Sequence, residues 1–473
     1  MRTHPLIDGT IALLLGGLAL SCSTRPDVGP TGPEAPWPTP SPVQLGWQRA
    51  ELGVVFHYDL HVFDDEHYVQ STNRRTPILD PTIFAPTELD VDQWILTAKA
   101  MGARFAILTA SHETGFRLWQ SDANPYSMGA LTWGDGERDL VREFVDACRA
   151  HGVEPGIYLG TRWNARLGVL DFKVTEGSPL TQAEYNALIE AEVEEICGRY
   201  GPLFELWFDG GAYGPDRGGP DVLSIVERLQ PGCVFYHNHD RADARWGGSE
   251  SGQVPYPCWA TMPYDGYSKY NDELARDGFE LLKHGDPTGS VWCPAMSDAP
   301  LRHHEWFWDA GDDHKVRPVE ALVDMYYGSV GRNSTLILGL TPDDRGLLPE
   351  VDVAACRGMG EAIRSAFAHR LGRITGSGDS HVLDLGTARP VDHVVLQEEI
   401  ELGERIRGYS LEYRDEGRWL PLAAGTCVGH KHIHRFEAVT ADALRLRVTQ
   451  SIAEPRIRAF EAYGRRRDGS TDV

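Results

Sequence analysis

Between residues 44 and 368 the chain alternates short apolar runs, rich in Val, Ile, Phe and Trp, with longer segments of helical period. The runs fall at 54–60, 104–109, 154–159, 204–208 and 234–236, and the helical segments at 91–101, 139–151, 181–200 and 221–229. A strand followed by a helix, repeated at this pace, builds βαβ units, because a parallel neighbour is reached only through a crossover long enough to hold a helix. Over a segment of this length the economical closure is a (β/α)8-like barrel, regular or not, which leaves fewer strand edges to cover than an open sheet. In such a barrel the residues worth inspecting sit where the strands end at their C-terminal side.

A last helical segment at 351–368 ends the alternation. Beyond it come HVLDLG, DHVVLQEEI, RGYSLEYRD, RWLPLAA, HIHRFEAV, ALRLRVTQ and IRAFEAYG, short alternating segments parted by turns. Seven or eight strands of this kind make an all-β sandwich over 369–464, leaving 465–473 as a tail. Its aromatics Trp419, Phe436, Phe460 and Tyr463 suit core positions, which favours a supporting domain over an independent sugar-binding one. Ahead of the barrel, residues 23–43 are dominated by proline and small polar residues and read as an extended, solvated tether. Residues 1–22 carry Arg2, an apolar stretch at 11–20 and then Ser21 and Cys22. That stretch has the length of a signal-peptide core and is too short for a bilayer, which needs about 20 apolar residues. The expectation is an exported protein, periplasmic, cell-surface or secreted. Ala19–Cys22 also resembles a lipoprotein signal, so both a lipid anchor at Cys22 and plain cleavage fit.

Forty-five basic against sixty-nine acidic side chains give a net charge of −24, which repels nucleic acid and anionic membranes and leaves a neutral substrate as the natural partner. The other cysteines, at 148, 197, 233, 258, 293, 356 and 427, form no C-x-x-C pair and read as buried thiols with room for one disulfide. No G-x-G-x-x-G or phosphate loop supports a nucleotide site.

At 204–211 the chain reads FELWFDGG, an apolar run that meets a carboxylate and two glycines. Asp209 there is either a cap for the next turn or a reagent at the barrel mouth. His57, His112, Tyr158, His237 and His239 fall at corresponding places after other runs. A second acid, Glu250, lies in the glycine-rich loop ARWGGSESG at 244–252. Two acids on neighbouring loops suit glycoside hydrolysis, in which one attacks or steadies the oxocarbenium-like centre and the other protonates the departing oxygen. Trp207, Trp246 and Trp259 would supply apolar faces for sugar rings.

The stretches GVVFHYDLHVFDDE, FAPTELDVDQWILTAKAMGARFAILTASHETGFRLWQS, ELWFDG, ARWGGSESG and EWFWDAGDDHKVRPVEALVDMYYGSVGRNSTLILGL together resemble glycoside hydrolase family 29, the α-L-fucosidases, and the likeness runs from about Gly46 to Gly464. It implies the branch with a C-terminal sandwich of the galactose-binding-like kind and a fucosylated glycan as substrate, with neither metal nor cofactor. It also implies a retaining mechanism with Asp209 as nucleophile and Glu250 as acid/base. His57, Glu66, His112, Tyr158, Trp207, Arg245, Trp246 and Trp306 match sugar-contacting positions. The chain departs from the family at Ser111, Glu113 and Thr114, around the retained His112, at Ser249 in the acid/base loop and at His67.

Two other readings are open to the residues alone. His57, Asp59 and His61 alternate, as do His237 and His239, which with Asp209 would suit a metal-dependent hydrolase. A cell-surface glycan-binding protein that has lost catalysis is the second.

Overall fold

The computed structural model describes residues 37–238, 240–241, 243–263 and 279–464, so the leader, Cys22, most of the tether, His239 and the tail lie outside the described residues. Eight parallel strands form the barrel sheet: β1 (Leu52–Phe56), β2 (Phe105–Ser111), β3 (Glu154–Leu159), β4 (Glu205–Ala212), β5 (Val234–Asn238), β6 (Arg245–Trp246), β7 (Ala295–Pro300) and β8 (Ser334–Leu340). They pair in the order β5-β4-β3-β2-β1-β8-β7-β6, so the ring is closed except between β5 and β6. β1, β2 and β8 are buried along their whole length, which is why they read as continuous apolar runs: one face packs inside the barrel, the other under the helices. Val55, Phe105, Ile107, Met296 and Ile337 belong to the inner cluster, and Val54, Phe56, Leu108 and Leu338 to the outer one.

The helices begin where their caps say they should. α1 (Pro42–Ala50) starts behind Ser41 in a capping box with Gln44, and proline suits its first turn because no amide partner is needed there. It also begins inside the segment read as tether, and Trp37, just ahead of it, donates its indole N–H to Leu402 O at 2.8 Å. α2 (Val91–Met101) and α3 (Leu140–His151) are capped by Asp90 and Asp139, α4 (Gln182–Arg199) by Thr181 in a second capping box, and α5 (Val222–Leu229) by Asp221. α6 (Val319–Gly328) and α7 (Glu350–Ala366) complete the ring.

The C-terminal domain is a six-stranded antiparallel sheet, not seven or eight strands. Its strands are β9 (Arg370–Ser377), β10 (Ser380–Glu398), β11 (Ile406–Asp415), β12 (Arg418–Gly425), β13 (His432–Ser451) and β14 (Arg456–Tyr463), paired β9-β14-β10-β13-β11-β12. HVLDLG and DHVVLQEEI are two parts of β10, and HIHRFEAV and ALRLRVTQ two parts of β13. Register breaks between Asp384 and Arg389 and between Val391 and His393 stand where turns were expected. The sheet packs around Leu396, Leu411, Leu446 and Phe460, while Trp419 lies beneath the guanidinium groups of Arg414 and Arg445. It grips the barrel through buried polar groups. Glu51 accepts from His430 at 2.8 Å and Lys431 at 2.5 Å, and Asn333 donates to Glu404 at 2.5 Å and Cys258 O at 2.9 Å. Among the described residues all seven cysteines are buried free thiols.

Glu205, at the start of β4, is fully buried with one carboxylate oxygen accepting from the Trp47 indole at 2.7 Å. Burial pushes its pKa up to about 8. The folded chain therefore holds this proton where the unfolded chain has released it, so stability falls as pH rises from the ordinary carboxyl value toward 8. Glu205→Gln should abolish that slope and gain a few kcal/mol over the parent at pH 8, at about 1.4 kcal/mol per unit, while matching it near pH 5. Urea unfolding at the two pH values checks this; parallel slopes in parent and variant would refute it.

Candidate active site

The C-terminal ends of the strands surround a cavity of about 500 Å³, within the range of small-molecule sites. β1 delivers His57, whose amide donates to Leu340 O at 3.0 Å, tying the end of β1 to β8. β2 delivers His112, β3 Tyr158, β4 both Trp207 and Asp209, and β7 Asp298. The rings of His57, His112, Tyr158 and Trp207 form one continuous wall. His57 and His112 are 5.6 Å apart, His112 stacks on Tyr158 at 5.4 Å and 12°, and Tyr158 meets Trp207 at 5.7 Å.

β4 does not stop at Asp209. It runs on to Ala212 through Gly210 and Gly211 at φ 72° and 101°, angles that a side chain would strain. The next α-helix, α5, takes its cap from Asp221, whose carboxylate accepts from Ser224 N, so Asp209 does not cap that helix; it lines the cavity. Glu250 lies in the exposed loop after β6 and also lines the cavity, and Trp306 donates its indole N–H to Glu250 Oε2 at 3.2 Å. Trp306 lies against His57 at 4.9 Å and over Gly339 of β8, where a Cβ would come within 2.5 Å of the indole. The chain leaving the Glu250 loop is pinned to the C-terminal domain by Tyr256, whose hydroxyl accepts from Cys427 N at 2.9 Å and donates to Cys427 O at 3.0 Å.

Burial lowers the His57 pKa to about 3 and holds His112 well below the ordinary imidazole value. Both rings are neutral at working pH and can donate or accept. His57 Nδ1, His112 Nδ1 and Trp207 Nε1 are buried without a hydrogen-bond partner. All three residues line the cavity, which therefore presents polar aromatic side chains to a ligand. Since neither ring titrates between about pH 5 and 8, His57→Asn should lower kcat/KM without moving the pH profile. A profile displaced in that variant would contradict the neutral assignment.

Of the residues singled out from the sequence, His57, His112, Tyr158, Trp207, Asp209, Glu250 and Trp306 share the cavity. Three others do not line it. Glu66 is exposed on the loop after β1. Arg245 is fully buried and spends its guanidinium on Leu282 O at 2.8 Å, Trp259 O at 2.7 Å and Cys293 O, holding together the loops behind β6. Trp246 stands one layer back and donates to Asp298 Oδ1 at 2.9 Å, fixing a carboxylate that does line the cavity. Trp259 is likewise buried, beneath Arg407 of the C-terminal domain.

The alternation at 57–61 is not a strand. β1 ends at Phe56, Asp59 caps a single turn at Leu60–Val62 and accepts from Thr114, and His61 pairs with Asn73 at 3.0 Å. Among the described residues the group close enough to share a cation is His67, Glu305 and Asp309 at the mouth, which contains neither Asp209 nor Glu250. Cavity residues missed from the sequence include Tyr68, Arg74 and Asp298. Asp298 follows the same rule as Asp209, a carboxylate in a buried strand, and was legible; Tyr68 and Arg74 lie in a long loop whose path no periodicity reveals.

The profile of the alpha-L-fucosidase family matches residues 47–365. Alpha-L-fucosidase 1 of Arabidopsis thaliana is 29% identical, with 92% of this chain and 89% of the plant protein aligned. A solved Bacteroides thetaiotaomicron protein, provisionally named an α-L-fucosidase, is 51% identical with a TM-score of 0.88, covering 91% of this chain and 100% of its own. A glycoside hydrolase 29 family member from an unknown rumen bacterium is 30% identical with a TM-score of 0.78, covering 91% of this chain and 78% of its own.

Proposed function

Because this chain belongs to the α-L-fucosidase family and is a glycoside hydrolase, we propose that it cleaves terminal α-L-fucosyl linkages of glycans by double displacement, with Asp209 as nucleophile and Glu250 as acid/base. The observation that carries this reading is the convergence of Asp209 and Glu250 on one cavity walled by His57, His112, Tyr158 and Trp207. The polar groups of that wall are suited to the sugar's hydroxyl groups, which would hold the anomeric carbon before Asp209. In the first step the Asp209 carboxylate forms a bond to that carbon as the glycosidic C–O bond breaks, and Glu250 gives its proton to the departing oxygen. In the second, Glu250 takes a proton from water, the water attacks the same carbon and Asp209 leaves. Two inversions restore the starting configuration. Glu250 is suited to serve both steps because its loop is open to water while the Trp306 indole N–H steadies one of its oxygens.

The test is proton NMR of the sugar first released from 4-nitrophenyl α-L-fucoside. The α anomer is expected to appear first and then mutarotate; the β anomer appearing first would mean a single displacement and would refute the covalent step. The leader at 1–22 supports export, with a lipid anchor on Cys22 as its finer form. Incorporation of labelled palmitate by the expressing cell, lost in Cys22→Ala, would establish the anchor.

A further inference from the structure

Arg74 reaches the catalytic cavity from the loop after β1, where it closes a single helical turn, Gln70–Asn73. Two contacts fix its guanidinium. Nε donates to Glu113 Oε1 at 2.6 Å, and the group lies over the Trp163 ring, 3.6 Å from its centre. Glu113 follows His112 in the chain and its side chain is 3% exposed, against 20% for Arg74. Its second oxygen accepts from the Tyr68 hydroxyl at 2.9 Å. A carboxylate buried beside the reaction centre therefore has both oxygens committed, one of them to a cation that itself reaches the cavity.

The same groups are linked electrostatically to the nucleophile. The charge of Asp209 acts on both Glu113 and Tyr68, in the sense that discourages a further negative charge, and Arg74 opposes it at each. A buried ion pair of this kind is a poor device for stability, since desolvation offsets most of the attraction, so its retention in a cavity wall calls for another reason. Arginine suits one: its planar fork can be held by one partner while presenting fixed donors to a second. Arg317 also lines the cavity, with Nε donating to Pro300 O at 3.0 Å and Nη1 lying 3.0 Å from His303 Nδ1.

We propose that Arg74 contacts the sugar, donating to hydroxyl oxygens on the edge held against His112, and that Glu113 is the positioning residue that aims it. This rests on the fucosidase reading of Asp209 and Glu250. Removing Arg74 loses the contact and also leaves Glu113 buried without its cation. Removing the Glu113 charge loosens the aim of Arg74 but has nothing to loosen once Arg74 is gone.

The experiment is a double-mutant cycle on 4-nitrophenyl α-L-fucoside, with thermal unfolding of each variant and calorimetric binding of free L-fucose. Arg74→Ala should raise KM, and weaken L-fucose binding, by about 10- to 100-fold, as for a hydrogen bond to a charged group, with kcat much less changed. Arg74→Lys should recover little of this, because an ammonium cannot hold Glu113 and present a planar fork together. Glu113→Gln alone should raise KM by roughly fivefold, yet in the Arg74→Ala background it should add nothing or restore part of the loss. Independent, additive losses in the double variant, or a KM within about twofold of the parent in Arg74→Ala, would overturn the proposal. If Arg74→Ala does not fold, Glu113→Gln measured with and without Arg74→Lys gives the same comparison. If the parent bound L-fucose but turned over no fucoside, the catalytic reading would fail while the calorimetry still decided the role of Arg74.

Discussion

Asp209→Ala should lower kcat on aryl α-L-fucosides by at least about 10⁴-fold, the scale seen when a covalent nucleophile is removed from a preorganised site. The fold gives no reason for a stability loss of matching size. Asp209 is half-buried, caps no helix and lies just past the residues that pair β4 with β3 and β5, so the melting temperature should stay close to the parent's. The loss is specific to the covalent step. With the carboxylate gone and Glu250 still able to protonate the leaving oxygen, an added small anion such as azide can attack from the vacated side. Rescue should yield the fucosyl azide of inverted configuration. A variant that stays inactive with azide but also unfolds early would show that Asp209 is structural.

Glu250→Ala should behave differently. It removes the proton donor and not the attacking group, so kcat on a natural glycan should fall by about 10²- to 10⁴-fold, the range for general acid catalysis. An activated aryl fucoside, whose phenolate leaves without help, should lose far less in the first step and then stall, because water lacks its base in the second. Azide needs no base. Here it should restore turnover and give the azide of retained configuration, opposite to the Asp209 variant. Equal losses on good and poor leaving groups would contradict the acid/base role. Because Glu250 is exposed and the bond it accepts from Trp306 is 3.2 Å long, the substitution should leave stability within a few tenths of a kcal/mol.

The barrel could be read from the sequence because its signals are local. Continuous apolar runs follow from strands covered on both faces, and Asp90, Asp139, Thr181 and Asp221 announce the helices they cap. The C-terminal strands were mis-divided because a register break and a turn look alike when only alternation is visible. The same limit explains the site. Asp209 and Glu250 were legible because one lies in the C-terminal part of a barrel strand and the other in the loop after one, where the fold itself sends residues to one mouth. Arg245 has the composition of a binding residue, yet its strand turns it toward the carbonyls of Leu282 and Trp259. Glu66 lies on the loop after β1 that also carries Tyr68 and Arg74, and only the path of that loop decides which of the three reaches the cavity. Glu113 is, in the sequence, only a departure from the family beside His112; in three dimensions it is half of a pair with Arg74.

Everything proposed for the chemistry depends on the Asp209 carboxylate bonding to the sugar. The direct measurement is to stall the reaction with a 2-deoxy-2-fluoro-α-L-fucosyl substrate bearing a good leaving group, digest the protein and locate the added mass. One fluorosugar per chain, on the peptide containing Asp209 and absent from Asp209→Ala, is the expected result. A stoichiometric adduct on another carboxylate, or turnover of the fluorosugar to the opposite anomer with no adduct at all, would contradict it.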